Sequence, residues 1–227
     1  MPTTLTTLIA PALAATLAAA PLELETGPTL RRTAQPVSEM NTLYGPTGLL
    51  VIPTAYVADR NTLSFGTAFG EDLRGPSANW GVFDGIEVGG AFIDREGESN
   101  KGIVNAKINI IPENFKWFEV GVGVVDAADA LEQTLYVVAS ADLVVPDRLK
   151  NQAIGLRGHV GAGTGMFQDK VFGGGELWLD EKFSLVGEWD TRNFNGGFRY
   201  VHDSSFRLQI GFQHTDFFLS AGYILRF

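Results

Sequence analysis

The chain has 227 residues, a net charge of −9, 27 glycines and no cysteine. That length fits one domain, or one small barrel with an extension. The lack of cysteine excludes disulfides, thiol nucleophiles, thiolate metal sites and an acylated N-terminal cysteine. The acidic balance, with no basic run beyond Arg31-Arg32, argues against nucleic acid as a partner.

Residues 1–20 have an apolar middle and end on Ala18-Ala19-Ala20, which reads as a signal peptide. The competing reading is a retained apolar helix, since no Lys or Arg precedes the apolar part and Pro21 follows the alanines. Residues 21–43 mix Pro, Glu, Thr and Arg without a period and read as a flexible linker. After residue 20 no apolar run is long enough for a spanning helix. Residues 44–61 contain Tyr44-Gly45-Pro46-Thr47-Gly48-Leu49-Leu50-Val51-Ile52-Pro53-Thr54-Ala55. No Lys-Ser or Lys-Thr follows these glycines, so a phosphate loop is excluded. The segment is expected to be irregular and to pack at one barrel rim.

From Thr62 onward the chain alternates. Leu63, Phe65, Thr67 and Phe69 oppose Ser64, Gly66, Ala68 and Gly70, and Ile86, Val88 and Phe92 oppose Glu87, Gly89 and Ala91. Such period-two patterning predicts strands with one apolar face. Turn residues at Asp84-Gly85, Pro112-Glu113-Asn114, Pro146-Asp147-Arg148 and Asn193-Phe194-Asn195 punctuate the series. Strands are predicted near 62–70, 77–82, 86–94, 102–110, 115–125, 132–142, 151–161, 169–179, 183–191, 195–202, 205–213 and 216–226. That makes about twelve, with ten or fourteen as alternatives. A single helical turn is conceivable over Ala127 to Leu131.

The predicted fold is all-β, an antiparallel up-and-down transmembrane barrel over 62–227. A soluble sandwich would also bury one face of each strand. Several strands, however, are long enough for a tilted crossing, no helix covers an edge, and the less apolar face is rich in Gly and Ser. Glu87, Lys107, Glu119, Arg157, His159, Glu176, Glu188, Asp190, Arg199 and Arg207 are then expected to line the lumen. Ion pairs crossing the lumen would leave little water channel. Trp80, Phe83, Phe115, Trp117, Phe167, Phe183, Trp189, Tyr200, Phe206 and Phe212 fall near strand ends, as interfacial girdles do. The last strand puts Phe217, Leu219, Ala221, Tyr223, Leu225 and Phe227 on one face. Leu219 to Phe227 in this phase resembles the C-terminal signal of outer-membrane barrels, which implies the barrel-assembly machinery as a partner.

The block from Gly45 to Ala55 with Asn61-Thr62-Leu63-Ser64-Phe65-Gly66 resembles the opening of YjbH-like outer-membrane barrels. Gly81-Val82-Phe83-Asp84-Gly85-Ile86-Glu87-Val88-Gly89 is similar to that family's next hairpin, and Gly187-Glu188-Trp189-Asp190 with Asn193 to Tyr200 is similar to its closing part. The resemblance implies residence in the outer membrane and an association with exopolysaccharide production or secretion. It implies no catalytic residues.

Catalysis needs a nucleophile beside an oriented base. His159 has no Ser near it in sequence, and His202 and His214 fall in turns at opposite barrel ends, so no enzyme is expected. Asp94, Glu96 and Glu98, or Asp126 and Asp129, read as solvated loop charge rather than a Ca²⁺ site. No cofactor or metal is expected. The favoured function is a structural or accessory outer-membrane barrel, docked to an envelope assembly or an exopolysaccharide-related one. The alternatives are a channel or export component for polysaccharide or small solutes, and a soluble β-sandwich binding module.

Overall fold

A computed structural model describes residues 40–70, 73–95, 99–110, 118–144 and 154–227. The expected signal peptide, nearly all of the linker, Phe115 and Trp117 lie outside them.

Twelve strands follow one another: β1 (Thr62–Gly70), β2 (Leu73–Phe83), β3 (Ile86–Arg95), β4 (Lys101–Ile110), β5 (Glu119–Val125), β6 (Thr134–Val144), β7 (Gly155–Gly163), β8 (Lys170–Trp178), β9 (Phe183–Trp189), β10 (Phe194–Val201), β11 (Phe206–Gln213) and β12 (Asp216–Arg226). Each pairs antiparallel with its sequence neighbours, and β12 returns to pair with β1, closing the barrel. Twelve strands settle the count. Closure leaves no sheet edge and rules out the sandwich. Bulges interrupt the register between Gly81 and Phe83 and between Asp142 and Val144.

Side-chain alternation divides the wall into two surfaces. Phe65, Phe69, Phe92, Val104, Val160, Val171, Phe212 and Phe217 project outward and stay exposed. Such an apolar belt is costly in water and stable against lipid chains. Closure also pairs the backbone groups that lipid cannot satisfy. Trp80, Phe83 and Trp189 are exposed on this outer wall, and Phe183 stacks on Tyr200 with ring centroids 5.0 Å apart. Phe167 departs from the girdle expectation. It lies in a 3-10 turn (Gly165–Phe167), fully buried against Phe172 at 4.2 Å between centroids. That turn folds back over the lumen, so its ring points inward.

The inner surface is filled by the chain itself. Met40, Leu43, Leu49 to Ile52 and Ala55 to Ala58 are all buried. Together with Thr47, this stretch hydrogen-bonds to inward side chains of β3, β4, β6, β9 and β10, from Glu87 to Glu188 and Arg199. The rim placement expected for residues 44–61 is therefore corrected: residues 40–58 occupy the lumen. The physical reason is size. Wall side chains fill the interior of an eight-stranded barrel, while a wider one encloses space. Ala127 to Leu131 forms a loop rather than a helix turn; Asp126 gathers it by accepting from the N–H groups of Ala130 (2.9 Å) and Glu132 (3.0 Å).

Candidate functional site: the lumen and the segment inside it

Residues 40–58 form a knot of turns rather than a strand or helix. Thr42 N–H donates to Pro46 O (2.8 Å), Gly48 N–H to Met40 O (2.9 Å) and Leu43 N–H to Leu50 O (2.9 Å). Gly45 sits at φ +111°, and a Cβ on it would meet Asn105 at 2.4 Å. Only glycine fits both conditions. A Cβ on Gly48 would meet Ile52 O at 2.4 Å.

Such irregular backbone leaves polar groups that burial makes costly unless something pairs with them. The wall supplies the partners. Glu188 on β9 accepts three successive N–H groups, from Leu50 (3.0 Å), Val51 (2.8 Å) and Ile52 (3.3 Å). Successive N–H groups converging in this way make an anion nest. Glu87 on β3 accepts from Thr47 N–H (3.0 Å), the Thr47 hydroxyl and Ala58 N–H (2.8 Å). Cations serve the carbonyls: Lys107 Nζ donates to Thr47 O (2.7 Å), and Arg199 to Leu49 O (3.2 Å) and Gly48 O (3.3 Å). Carboxylates hold amides and cations hold carbonyls, with charge-assisted bonds throughout.

Three ion pairs among the described residues run along the wall. Lys107 meets Glu87 at 3.1 Å on the adjacent strand, and Arg199 meets Glu176 at 3.2 Å two strands away. Arg157 meets Asp142 at 2.7 Å on the next strand, and its guanidinium lies 4.4 Å from the Tyr56 ring centre. The space inside the wall is filled by residues 40–58. Glu119 accepts from Asn109 and is only half-buried. Arg207 is buried on β11. Asp190 caps the β9–β10 turn, accepting from Arg192 N–H (2.9 Å) and Asn193 N–H (2.8 Å).

Several contributors escaped the sequence reading. Ser140, 19 residues away in sequence, lies across the ladder from His159, with Oγ 2.7 Å from Nδ1. Ala55 N–H donates to the same Oγ at 2.9 Å. Among the described residues His159 Nε2 has no hydrogen-bond partner, so no third group there orients the imidazole as a catalytic base needs, and both side chains are buried. Asn195 donates to both Glu188 (3.0 Å) and Asp190 (3.0 Å). Asn79 donates to Gly45 O, and Gln209 accepts from Arg199 at 2.6 Å. Each of these residues sits in the inward phase of a predicted strand, and phase was the signal available.

Antiparallel pairing puts the loops after β5, β7, β9 and β11 at the end of the barrel away from Thr62 and Arg226. A cavity of about 360 Å³ opens there above the segment, lined by Tyr44, Val51 and Met166 and, among polar residues, by Glu132, Arg192 and Gln213.

A closed antiparallel wall, apolar outside and charged inside, defines an outer-membrane β-barrel. No protein-family model matches the chain, and no curated protein matches it. Among solved structures it is similar to a KdgM porin, with 10% identity and a TM-score of 0.48, covering 73% of this chain and 99% of that one. A structure of KdgM porin in complex with disordered oligogalacturonate is similar at 9% identity and a TM-score of 0.47, with the same coverage.

Proposed function

We propose that this protein is an outer-membrane conduit for small polar solutes, held shut by its own residues 40–58. The carrying observation is how the lumen is closed. Its wall carries many polar and charged side chains, and the obstruction is one short stretch of chain held by hydrogen bonds that water can replace, together with an apolar cluster that Leu43, Leu49 to Ile52 and Ala55 form with the wall. Withdrawal of that stretch would leave a hydrophilic passage through an intact barrel.

A second reading, the structural or accessory barrel, is favoured by the fit of wall glycines to the segment. A Cβ on Gly121 would sit 2.8 Å from Ala55 Cα, and one on Gly174 2.8 Å from Leu49 Cδ1. Such a close fit suits a segment that never leaves. The YjbH-like motifs at Gly45 to Ala55 add an exopolysaccharide-related assembly as the finer context of either reading.

Planar-bilayer recording of the Ala55→Cys/Ser140→Cys pair separates the two. Ser140 Oγ lies 2.9 Å from Ala55 N, and the chain has no other cysteine to compete. The conduit reading expects discrete openings in the reduced protein, silenced by oxidation and restored by reductant. Silence in the wild type and in both redox states overturns it and leaves the accessory barrel.

A further inference from the structure

The cavity above residues 40–58 has a lining of mixed chemistry. Tyr44 and Val51, from the segment itself, and Met166, from the β7–β8 turn, are among its apolar lining residues. Glu132, from the β5–β6 loop, and Arg192, from the β9–β10 turn, bring opposite charges to the same space. Their backbone N–H groups are engaged by Asp126 and Asp190. Neither side chain has a hydrogen-bond or ion-pair partner among the described residues. The other acidic groups nearby are committed to the loops. Asp126 accepts from Ala130, Leu131 and Glu132, and Asp190 from Arg192, Asn193 and Asn195.

We infer that this cavity binds a small zwitterion with an apolar body, of the size of an apolar dipeptide, its ammonium on Glu132 and its carboxylate on Arg192. Three observations carry this. The volume of about 360 Å³ falls at the small end of small-molecule sites. Two uncommitted charges of opposite sign on separate loops match a ligand carrying both charges, and a guanidinium presents the donor fork that suits a carboxylate. The apolar lining residues would cover the rest of such a ligand.

The occupant would touch the closing segment directly. Val51, a cavity residue, donates its N–H to Glu188, and Asn195 joins Glu188 to Asp190 on the cavity wall. Ligand bound there would therefore bear on the contacts that hold residues 40–58. This coupling rests on the conduit reading; the binding itself does not.

The test is equilibrium binding to the full chain in detergent, by calorimetry, with leucyl-leucine as probe. Its C-terminal amide and its N-acetyl form each remove one charge. Wild type is expected to bind leucyl-leucine saturably with a Kd below about 1 mM. Arg192→Gln is expected to weaken it about tenfold or more while leaving the amide's affinity unchanged, and Glu132→Gln to do the same with the acetyl form as the indifferent probe. Absence of saturable binding overturns the inference, as does equal affinity for all three probes. The analogue series on wild type keeps the test sharp should a variant fail to fold. Because binding is read on the closed barrel, a negative result leaves the conduit reading to the bilayer experiment.

Discussion

At the scale of single residues, this protein uses carboxylates as clamps for backbone amides. Glu188 and Glu87 hold the lumen segment, Asp126 the β5–β6 loop, Asp190 the β9–β10 turn and Asp203 the β10–β11 turn. Asp203 is the member open to solvent. It accepts from Phe206 N–H (2.8 Å) and Ser205 N–H (2.7 Å), and these two bonds hold its carboxyl below the usual carboxylate range. A depressed folded pKa gives stability that is present above the ordinary value and lost as pH falls through the folded one. Amide exchange at Ser205 and Phe206 is therefore expected to stay slow through the ordinary aspartate range and to accelerate only below it. In Asp203→Asn the acid-induced step should vanish. An unchanged step in that variant would assign it to another group.

At the scale of elements, wall and segment are matched by steric complementarity as much as by charge. Gly121 faces Ala55 so closely that a larger side chain must displace one of them. Overpacking of this kind costs about 1–3 kcal/mol. Gly121→Leu is expected to unseat residues 40–58, so that proteases cut there at least about tenfold faster. The barrel itself should keep its heat-modifiable mobility. Gly102→Leu is the control, since a Cβ there meets nothing within 4 Å. If both variants are cut at the wild-type rate, the segment is not held by this fit. The strands were largely legible in advance because period-two alternation is local: nine starts lie within three residues of the predicted ones, while β2 begins four residues earlier and β5 and β7 four later. At β2 the extra residues Arg74, Gly75 and Pro76, two of them of types common in turns, pair with Phe69, Ala68 and Thr67 of β1.

At the scale of the whole molecule, closure falls to the last strand. Thr62 pairs with Arg226 and Gly70 with Phe218, so β12 seals the ring along the whole of β1. Phe227 lies beyond that ladder; its N–H donates to Asn61 O at 3.0 Å, but its ring is 81% exposed. A ring so exposed adds little to the folded barrel. Phe227→Ala is thus expected to reduce the yield of membrane-assembled protein while shifting the stability of the assembled barrel by no more than about 0.5 kcal/mol. Yield is read from outer-membrane fractions and stability from the temperature of the gel-mobility shift. A large stability loss with normal yield would move the role of Phe227 from assembly to structure.

The sequence by itself determined the wall. Alternation of apolar and small or polar residues fixes which side of each strand meets lipid, and one-residue slips are forbidden because they would reverse every side chain. It therefore also placed Glu87, Lys107, Glu176, Glu188 and Arg199 on the inner phase. What only the tertiary structure decided is what those residues hold. Leu50 and Glu188 are 138 residues apart, and Leu49 and Arg199 are 150 apart. No local period links such positions. Residues 40–58 have no periodic pattern, since their backbone is shaped by turns and satisfied by distant side chains, and the need for a filler follows only from the width of the closed ring.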